Sequence, residues 1–310
     1  WQFFTEGQLI IGDDLIQLPK ACKNEVEQAG MHQAHVKDGL AVVKFLHWLS
    51  KNTDPLTELD VVERLEAFRA EGENYRGPSF PTIAGYGSNG AIVHYRPHAQ
   101  TNKVLQDGSL LLLDSGGQYL EGTTDITRTI ALGGVHDEHC EYFTRVLKGH
   151  IALATVHFPK GTSGIQLDVL ARQPLWQTGA DFDHGTGHGV GCFLNVHEGP
   201  QRISKAGSSV PLQPGMILSN EPGYYKANKY GIRIENLMLV RSSNLETDRS
   251  FYCFETLTLV PIETRLIIIE WLTAAEREWL NTYHQKIRDH LLPHLEPETA
   301  AWLMEATEPV

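Results

Sequence analysis

Four acidic residues lie within or at the ends of apolar, strand-like runs of this sequence. Asp114 ends one such run, Asp125 opens another, Glu221 directly follows a third, and Glu235 lies inside a fourth. A carboxylate in a buried strand is costly unless it is paired or binds a metal ion. Any one of these residues alone would be interpreted as a salt-bridge partner. Four of them together favour a shared metal site.

A glycine-rich segment with histidines, residues 184–191, is the second candidate for chemistry. Glycines let the backbone approach a ligand closely and adopt positive φ angles. His188, which has a glycine on each side, is the better candidate for a metal ligand. His184 taken alone is also compatible with a tight surface loop of solvated histidines. His197 lies just beyond the segment.

The elements that must position these residues follow from the periodicity of the apolar side chains. Strand-like runs fall in the middle of the chain and helical patterns flank them, which favours an α+β fold over alternating units. Helices are predicted over 24–52, 57–71, 138–157, 165–177, 273–292 and 297–304. Strands are predicted over 91–95, 110–114, 118–120, 125–130, 216–221, 231–240 and 251–260. Residues 1–20 are expected to be extended, and 72–90 to form a loop with one short strand.

Composition excludes several classes of protein. Of the 310 residues, 41% are hydrophobic and 21% charged, which is typical of a globular chain. The net charge of −12 repels phosphate groups, so neither nucleic acid nor an anionic membrane is expected as a partner. The 4 cysteines are scattered, without a CxxC pair, which argues against a disulfide scaffold or a zinc ribbon. We therefore expect a cytoplasmic location.

Five motifs that follow one another along the chain give the sequence a family resemblance. They are LDSG (113–116), DITRT (125–129), HGTGHG (184–189), NEPGYY (220–225) and GIRIEN (231–236). Together they resemble the catalytic domain of the Xaa-Pro aminopeptidases (aminopeptidase P), in the creatinase/prolidase/methionine aminopeptidase superfamily. Residues 148–151 and 193–200 resemble the cytosolic branch. The resemblance implies the pita-bread fold, in which two pseudo-symmetric halves surround a dinuclear metal cleft.

The resemblance also implies a ligand set. The metal ligands would be Asp114, Asp125, His188, Glu221 and Glu235. Such an oxygen-rich set suits two divalent ions, Mn²⁺ first, with Co²⁺ or Zn²⁺ as alternatives. A hydroxide that bridges the two ions would attack the scissile carbonyl group. Thr127 shares a strand face with Asp125 and is therefore placed to hydrogen-bond a ligand.

Further site residues are implied to act on protons or on the substrate. Glu221 would pass a proton from the nucleophile to the departing proline nitrogen, with help from His94. His197 would hydrogen-bond the carbonyl oxygen, and His184 would line the substrate pocket. Arg233 would share a strand face with the last acidic ligand and orient the carboxylates.

The implied activity is removal of the N-terminal residue from peptides with proline at position two. Prolidase, which acts on Xaa-Pro dipeptides, is the nearest alternative, and methionine aminopeptidase fits the context of Arg233 less well. A pita-bread module that only binds peptides or proteins is the alternative without catalysis, although such relatives usually lose metal ligands. We also expect a homodimer. Residues 21–310 would form the catalytic domain, and 1–20 a connection from a missing upstream domain.

Overall fold

Helices flank a central group of short strands in the computed structural model, which describes residue 12 and residues 14–310. The helices are α1 (Gln17–Ala21), α2 (Glu25–Lys51), α3 (Glu58–Ala70), α4 (Asp137–Ala154), α5 (Gly164–Trp176), α6 (Ala274–Leu291) and α7 (Pro297–Ala306). The strands are β1 (Tyr75–Pro78), β2 (Ile83–Tyr86), β3 (Ser109–Ser115), β4 (Gly117–Tyr119), β5 (Ile126–Leu132), β6 (Phe158–Pro159), β7 (Gly187–His188), β8 (Arg202–Ile203), β9 (Ile217–Asn220), β10 (Gly223–Lys226), β11 (Tyr230–Arg233), β12 (Asn236–Ser242) and β13 (Phe251–Thr256). The predicted α+β class is confirmed.

Two antiparallel sheets form the framework. Strands β2, β3 and β5 make the first sheet, in which Asp114 of β3 lies opposite Thr127 of β5. Strands β6, β13, β12 and β9 make the second sheet, in which Asn236 of β12 lies opposite Asn220 of β9. Shorter pairs join β1 to β4, β7 to β8 and β10 to β11. Each large sheet therefore ends beside two of the four acidic residues.

Helices α4 and α6 pack apolar faces into one core. The core-facing side chains are Phe143, Val146, Leu147 and Ile151 in α4 and Leu280, Ile287 and Leu291 in α6. Fully burying one such side chain contributes about 1.5–3 kcal/mol. No helix within residues 14–310 combines the length and the apolarity needed to cross a lipid bilayer.

Side-chain caps fix the starts of the two N-terminal helices. Asn24 accepts a hydrogen bond from the Glu27 amide, and Glu27 accepts one from the Asn24 amide. Thr57 and Asp60 form the same reciprocal pair at α3. Each reciprocal pair, known as a capping box, satisfies two backbone N–H groups that have no partner within the helix. The predicted helices over 24–52 and 57–71 are confirmed to within one residue at each end.

The strand predicted over 91–95 is wrong. The segment forms turns, because the amides of Ala91 and Ile92 bond back to the carbonyls of Ser88 and Asn89. Local bonds of this kind use up the backbone groups that a neighbouring strand would need.

The single strand predicted over 231–240 is two strands, β11 and β12. The strand is interrupted at Ile234 and Glu235. Their amides donate to the carbonyls of Pro222 and Thr127 instead of to a neighbouring strand of the same sheet. Glu235 therefore lies in the crossing between a hairpin and the second sheet. This position turns its carboxylate towards the other acidic residues.

The extended conformation predicted over 1–20 is wrong for Gln17–Ala21, which is helical, whereas residues 1–11 and 13 lie outside the described part. Pro19 is compatible with α1 because it occupies the first turn, where a helix does not need its amide. The loop predicted over 72–90 contains two short strands, β1 and β2, where one was expected.

Four arginines are buried among the described residues, and three of them, Arg69, Arg128 and Arg172, tie distant segments together in the interior. Arg69 of α3 donates to both oxygens of Asp38 in α2, at 2.8 and 3.2 Å. Arg172 is likewise paired with Asp168 within α5, at 2.6 Å. Arg128 of β5 instead donates to four backbone carbonyls, the Asn236 amide oxygen and the Tyr283 hydroxyl. These contacts fix the ends of β5 and β12 against α6.

The buried His284 of α6 should make stability depend on pH. Its Nε2 accepts a hydrogen bond from the Ile262 amide at 3.2 Å, and burial together with the charge of Arg128 lowers its pKa to about 3. In the unfolded chain the imidazole of His284 takes up a proton below a pH of about 6.5, its ordinary pKa, whereas in the folded chain it stays neutral. The contribution of His284 to the unfolding free energy is therefore fully present above a pH of about 6.5 and is lost as the pH falls towards 3.

Between pH 7 and pH 5 we expect the wild type to lose about 2 kcal/mol more unfolding free energy than His284→Gln. Urea unfolding at both pH values measures this difference. Substitution of the exposed His98 by glutamine is the control and should leave the pH dependence unchanged. Equal losses in the wild type and His284→Gln would contradict the prediction.

Candidate metal centre

The four acidic residues and His188 come from different elements and meet in one acidic cluster. Asp114 lies near the end of β3, and Asp125 directly precedes β5. Glu221 directly follows β9, Glu235 lies between β11 and β12, and His188 ends β7. Each position is the end of a strand or a break between strands, where the backbone can turn a side chain out of the sheet.

Their ligand atoms lie close enough to share cations. One oxygen each of Asp114, Asp125 and Glu235 lie within 4.8 Å of one another. The same limit holds for His188, Glu221 and Glu235. The two groups share Glu235, and together they contain all five predicted ligands. This arrangement is suitable for two neighbouring metal ions.

His188 is held with one ring nitrogen free. Its Nδ1 lies 3.0 Å from the carbonyl oxygen of Gly189, which can only accept a hydrogen bond. The proton therefore belongs on Nδ1, and the lone pair on Nε2. This Nε2 lies 3.3 Å from Asp125 Oδ2 and 3.4 Å from Glu221 Oε1.

Burial and mutual repulsion perturb the acids. Burial first, and then the charges of neighbouring carboxylates, raise the pKa of Asp125 and of Glu235 well above the ordinary range. Burial also raises the pKa of Glu221. A crowded cluster of this kind either holds protons or takes up cations.

The residues fit a pair of divalent metal ions. Two buried oxygens, Asp114 Oδ1 and Asp125 Oδ1, have no hydrogen-bond partner in the part of the chain that the structure describes. Buried carboxylate oxygens normally accept hydrogen bonds, so these two are available as ligands. Four carboxylates also balance the charge of two divalent ions, and such oxygen donors suit Mn²⁺.

A second layer of hydrogen bonds orients the acids. Arg233 donates to Asp114 Oδ2 at 2.6 Å and to the Thr127 hydroxyl at 3.0 Å. Thr127 in turn donates to Glu235 Oε2 at 2.7 Å, so the predicted hydrogen bond from Thr127 is confirmed. Ser219 donates to Glu221 Oε1 at 3.0 Å. These contacts restrict the rotamers of three acidic side chains.

The three other predicted histidines lie beside the acidic cluster. The rings of His197 and His188 meet edge to face with centroids 4.1 Å apart, and partial burial lowers the pKa of His197 to about 4. Burial lowers the pKa of His184 to about 3, so its ring is neutral at pH 7. His94 is exposed and directly follows Val93, whose carbonyl oxygen accepts from Arg233 Nη1 at 3.5 Å, so its backbone lies beside the arginine that orients the acids.

Sequence reasoning missed Tyr225 in β10. Its hydroxyl accepts from Arg233 Nη1 at 2.6 Å and contacts His184 Nε2 at 2.8 Å, so it links Arg233 to His184. Gly231 lies opposite Tyr225 in the β10–β11 hairpin. The hairpin register would have indicated the contact, because Tyr225 and Arg233 are diagonal neighbours on one face.

A second contribution that the sequence did not reveal comes from α5. Arg172 donates to the carbonyl oxygens of Phe182 and His184, at 2.6 and 2.9 Å. Asp168 accepts from the Thr186 hydroxyl at 2.6 Å. The buried Asp168–Arg172 pair therefore anchors the glycine-rich histidine segment to a helix.

Comparison with known families and sequences supports a common origin. The profile of metallopeptidase family M24 matches residues 29–242, and that of the C-terminal region of peptidase M24 matches residues 250–310. Aminopeptidase P1 from Lotus japonicus is 46% identical over 325 aligned residues, covering 95% of this chain and 49% of that protein. Aminopeptidase P2 from Arabidopsis thaliana is 47% identical, covering 95% and 43%.

Two solved structures are also similar to this chain. An X-prolyl aminopeptidase from Caenorhabditis elegans, described as a cytosolic enzyme with a dinuclear active site, superposes with a TM-score of 0.95 at 39% identity, covering 99% of this chain and 51% of that one. A prolidase from Pyrococcus furiosus gives a TM-score of 0.65 at 27% identity, covering 79% and 67%.

These similarities confirm the predicted pita-bread fold. The chain spans about half the length of the curated relatives it matches. Both profiles lie within the residues that the structure describes and together cover most of the chain. The chain belongs to metallopeptidase family M24.

Proposed function

We propose that this chain is the catalytic part of an exopeptidase that releases the N-terminal residue from peptides with proline at position two. One observation carries the proposal: three buried carboxylates, the partly buried Glu221 and His188 converge in one cluster, and two carboxylate oxygens lack hydrogen-bond partners among the described residues. Similarity to aminopeptidases P supports the choice of substrate.

The proposed ligands are Asp114, Asp125, His188, Glu221 and Glu235. They would hold two divalent ions, with Mn²⁺ as the first choice and Co²⁺ or Zn²⁺ as alternatives. Such ions supply acidified water and polarise a carbonyl group. The dinuclear active site ascribed to the C. elegans relative supports the number of ions.

The chain's own residues account for orientation and proton transfer. Arg233 and Thr127 hold Asp114 and Glu235 in one orientation, which removes a reorganisation cost from the reaction. Glu221, whose pKa is raised by burial, would carry a proton from the attacking water to the proline nitrogen. The leaving proline nitrogen has no hydrogen of its own, so departure as an amine requires this proton.

The histidines would act on the substrate. His197, which packs against His188, is proposed to hydrogen-bond the carbonyl oxygen as it gains negative charge. His184, neutral and fixed by Tyr225, would form part of the pocket wall. His94, exposed at the rim, would assist proton transfer.

A comparison of three peptides tests the function. Protein loaded with Mn²⁺ is incubated with an Xaa-Pro-Yaa tripeptide, the matched Xaa-Ala-Yaa tripeptide and the Xaa-Pro dipeptide, and free Xaa is measured. We expect release from Xaa-Pro-Yaa and little release from the alanine analogue. Cleavage of the dipeptide alone would indicate a prolidase. No release from any of them, with metal bound, would refute the proposal.

We further propose that the protein acts in the cytoplasm as a homodimer on peptide substrates, without nucleic acid or membrane partners. The C. elegans relative is described as cytosolic, and the net charge of −12 disfavours anionic partners. The division into a connection over 1–20 and a catalytic domain over 21–310 likewise remains a proposal.

A further inference from the structure

Two lysines that precede α2 in the chain converge on one carboxylate, that of Glu198. Lys23 Nζ lies 3.0 Å from Glu198 Oε1, and Lys20 Nζ lies 2.8 Å from Glu198 Oε2. Glu198 directly follows His197 in the chain. A segment far away in the sequence is therefore tied to the loop that carries a proposed catalytic histidine.

The inner half of this contact is a buried ion pair. The side chain of Lys23 is 1% exposed and that of Glu198 9%, whereas that of Lys20 is 51% exposed. The backbone of Lys23 is fixed at both ends, because its amide donates to the Gly215 carbonyl and its carbonyl accepts from Gln28. A buried ammonium on a fixed backbone gives Glu198 one well-defined position.

The loop between His188 and Glu198 needs such an anchor. Leu194 and Asn195 have φ angles of 60° and 49°, a left-handed conformation that side-chain-bearing residues adopt at a cost. The Leu194 amide donates to Gln118 Oε1 at 2.9 Å, which holds the middle of the loop. The Glu198 amide donates to the Gly189 carbonyl at 2.8 Å, which holds its end.

The neighbouring side chains of His197 and Glu198 contact different partners. The His197 ring packs against the His188 ring, on the side of the acidic cluster. Glu198 reaches the lysines instead. A displacement of Glu198 would therefore be passed directly to His197 through the single peptide unit that joins them.

We propose that Lys23, supported by Lys20, is a positioning residue that sets the location of His197 relative to the acidic cluster by anchoring Glu198. This inference rests on the proposed function, in which His197 acts on the substrate carbonyl. Lys23 itself touches no reacting atom. Its removal should therefore slow the chemical step while leaving metal content and substrate binding largely intact.

The test compares Lys23→Met, Lys23→Arg and the isosteric Glu198→Gln in the Mn²⁺-loaded protein. We expect Lys23→Met and Glu198→Gln to lower kcat about tenfold with KM changed less than about twofold, and Lys23→Arg to recover most of the loss. In a His197→Ala background, Lys23→Met should lower kcat no further, because it acts through the residue already removed.

Lys148→Met is the matched control, since Lys148 of α4 pairs with Glu276 of α6 at 2.5 Å and neither helix carries a proposed ligand or site histidine. Its kcat should equal that of the wild type. A tenfold loss in the control, an unchanged kcat in both Lys23→Met and Glu198→Gln, or a full further loss in the His197→Ala background would each overturn the inference. Should Lys23→Met fail to fold, Glu198→Gln carries the same comparisons.

Hydrogen exchange gives a readout that does not depend on activity. The amides of Gly191 and Glu198 are hydrogen-bonded within the loop, to the Asn195 and Gly189 carbonyls. Mass spectrometry of a peptide spanning 189–200 should show faster exchange in Lys23→Met than in Lys148→Met. If the wild type releases no N-terminal residue, the proposed function fails, while equal exchange in the two variants refutes the anchor separately.

Discussion

Asp125→Asn is expected to abolish metal binding at one of the two proposed positions and to lower kcat/KM at least about a thousandfold. Asp125 is buried, its Oδ2 lies 3.3 Å from His188 Nε2, and its Oδ1 has no partner among the described residues. Asparagine keeps the shape but removes the charge and one of the two acceptor oxygens. Metal per chain, measured by elemental analysis, should fall from two to one or fewer.

The same substitution should have the opposite effect on stability once metal is removed. Without cations, neighbouring carboxylates repel Asp125, and its pKa is raised well above the ordinary range by burial and by that repulsion. Removing one charge relieves the repulsion, so the chelated variant should unfold at a temperature about 2–4 °C above that of the chelated wild type. With metal present the order should reverse, because only the wild type gains the full binding free energy.

Asp289→Asn on the exposed side of α6 is the control for both measurements and should change neither metal content nor the response to chelation. Unchanged metal content in Asp125→Asn would contradict the ligand assignment and favour a pita-bread module that binds peptides without cleaving them. A lower unfolding temperature of the chelated variant would show that repulsion among the acids is not the dominant cost.

Arg69→Met is expected to lower the unfolding free energy by about 3–5 kcal/mol. Arg69 is 1% exposed and makes two hydrogen bonds to Asp38, which is itself 4% exposed. Methionine fills similar space but leaves a buried carboxylate with the Tyr119 hydroxyl, at 2.9 Å, as its remaining partner. The uncompensated charge, more than the lost packing, accounts for the cost.

The double variant Arg69→Met, Asp38→Leu should recover a large part of the loss, because replacing both ions leaves no buried charge. Lys44→Met removes half of an exposed pair with Glu71, separated by 3.6 Å, and should cost less than about 1 kcal/mol. Urea unfolding of the four proteins measures all three differences. A double variant less stable than Arg69→Met would mean that shape, not charge, decides the cost.

The acidic ligand candidates could be predicted from the sequence because a charged residue beside an apolar run conflicts with burial. That conflict is local and visible, and the structure brings Asp114, Asp125, Glu221 and Glu235 together. Long helices were predictable for a similar reason, since the caps Asn24 and Thr57 and the apolar stripes depend on near neighbours alone.

Other contacts depend on pairings between distant segments and leave no local signal. Arg69 and Asp38 lie on two helices, where charged residues usually face water, and only the packing of α2 on α3 buries them. Lys23 and Glu198 meet for the same kind of reason. The strand expected over 91–95 fails because bonds to Ser88 and Asn89 compete with sheet pairing.

The five proposed ligands are scattered from Asp114 to Glu235, and they meet only where the first sheet, the β7–β8 pair and the second sheet come together. Bringing such distant segments together is slow, because the entropy of loop closure is lost before the contacts between them can form. A metal ion would thus find no complete site early in folding. Metal binding would therefore mainly lower the unfolding rate of the native structure, and it would do little to raise the folding rate.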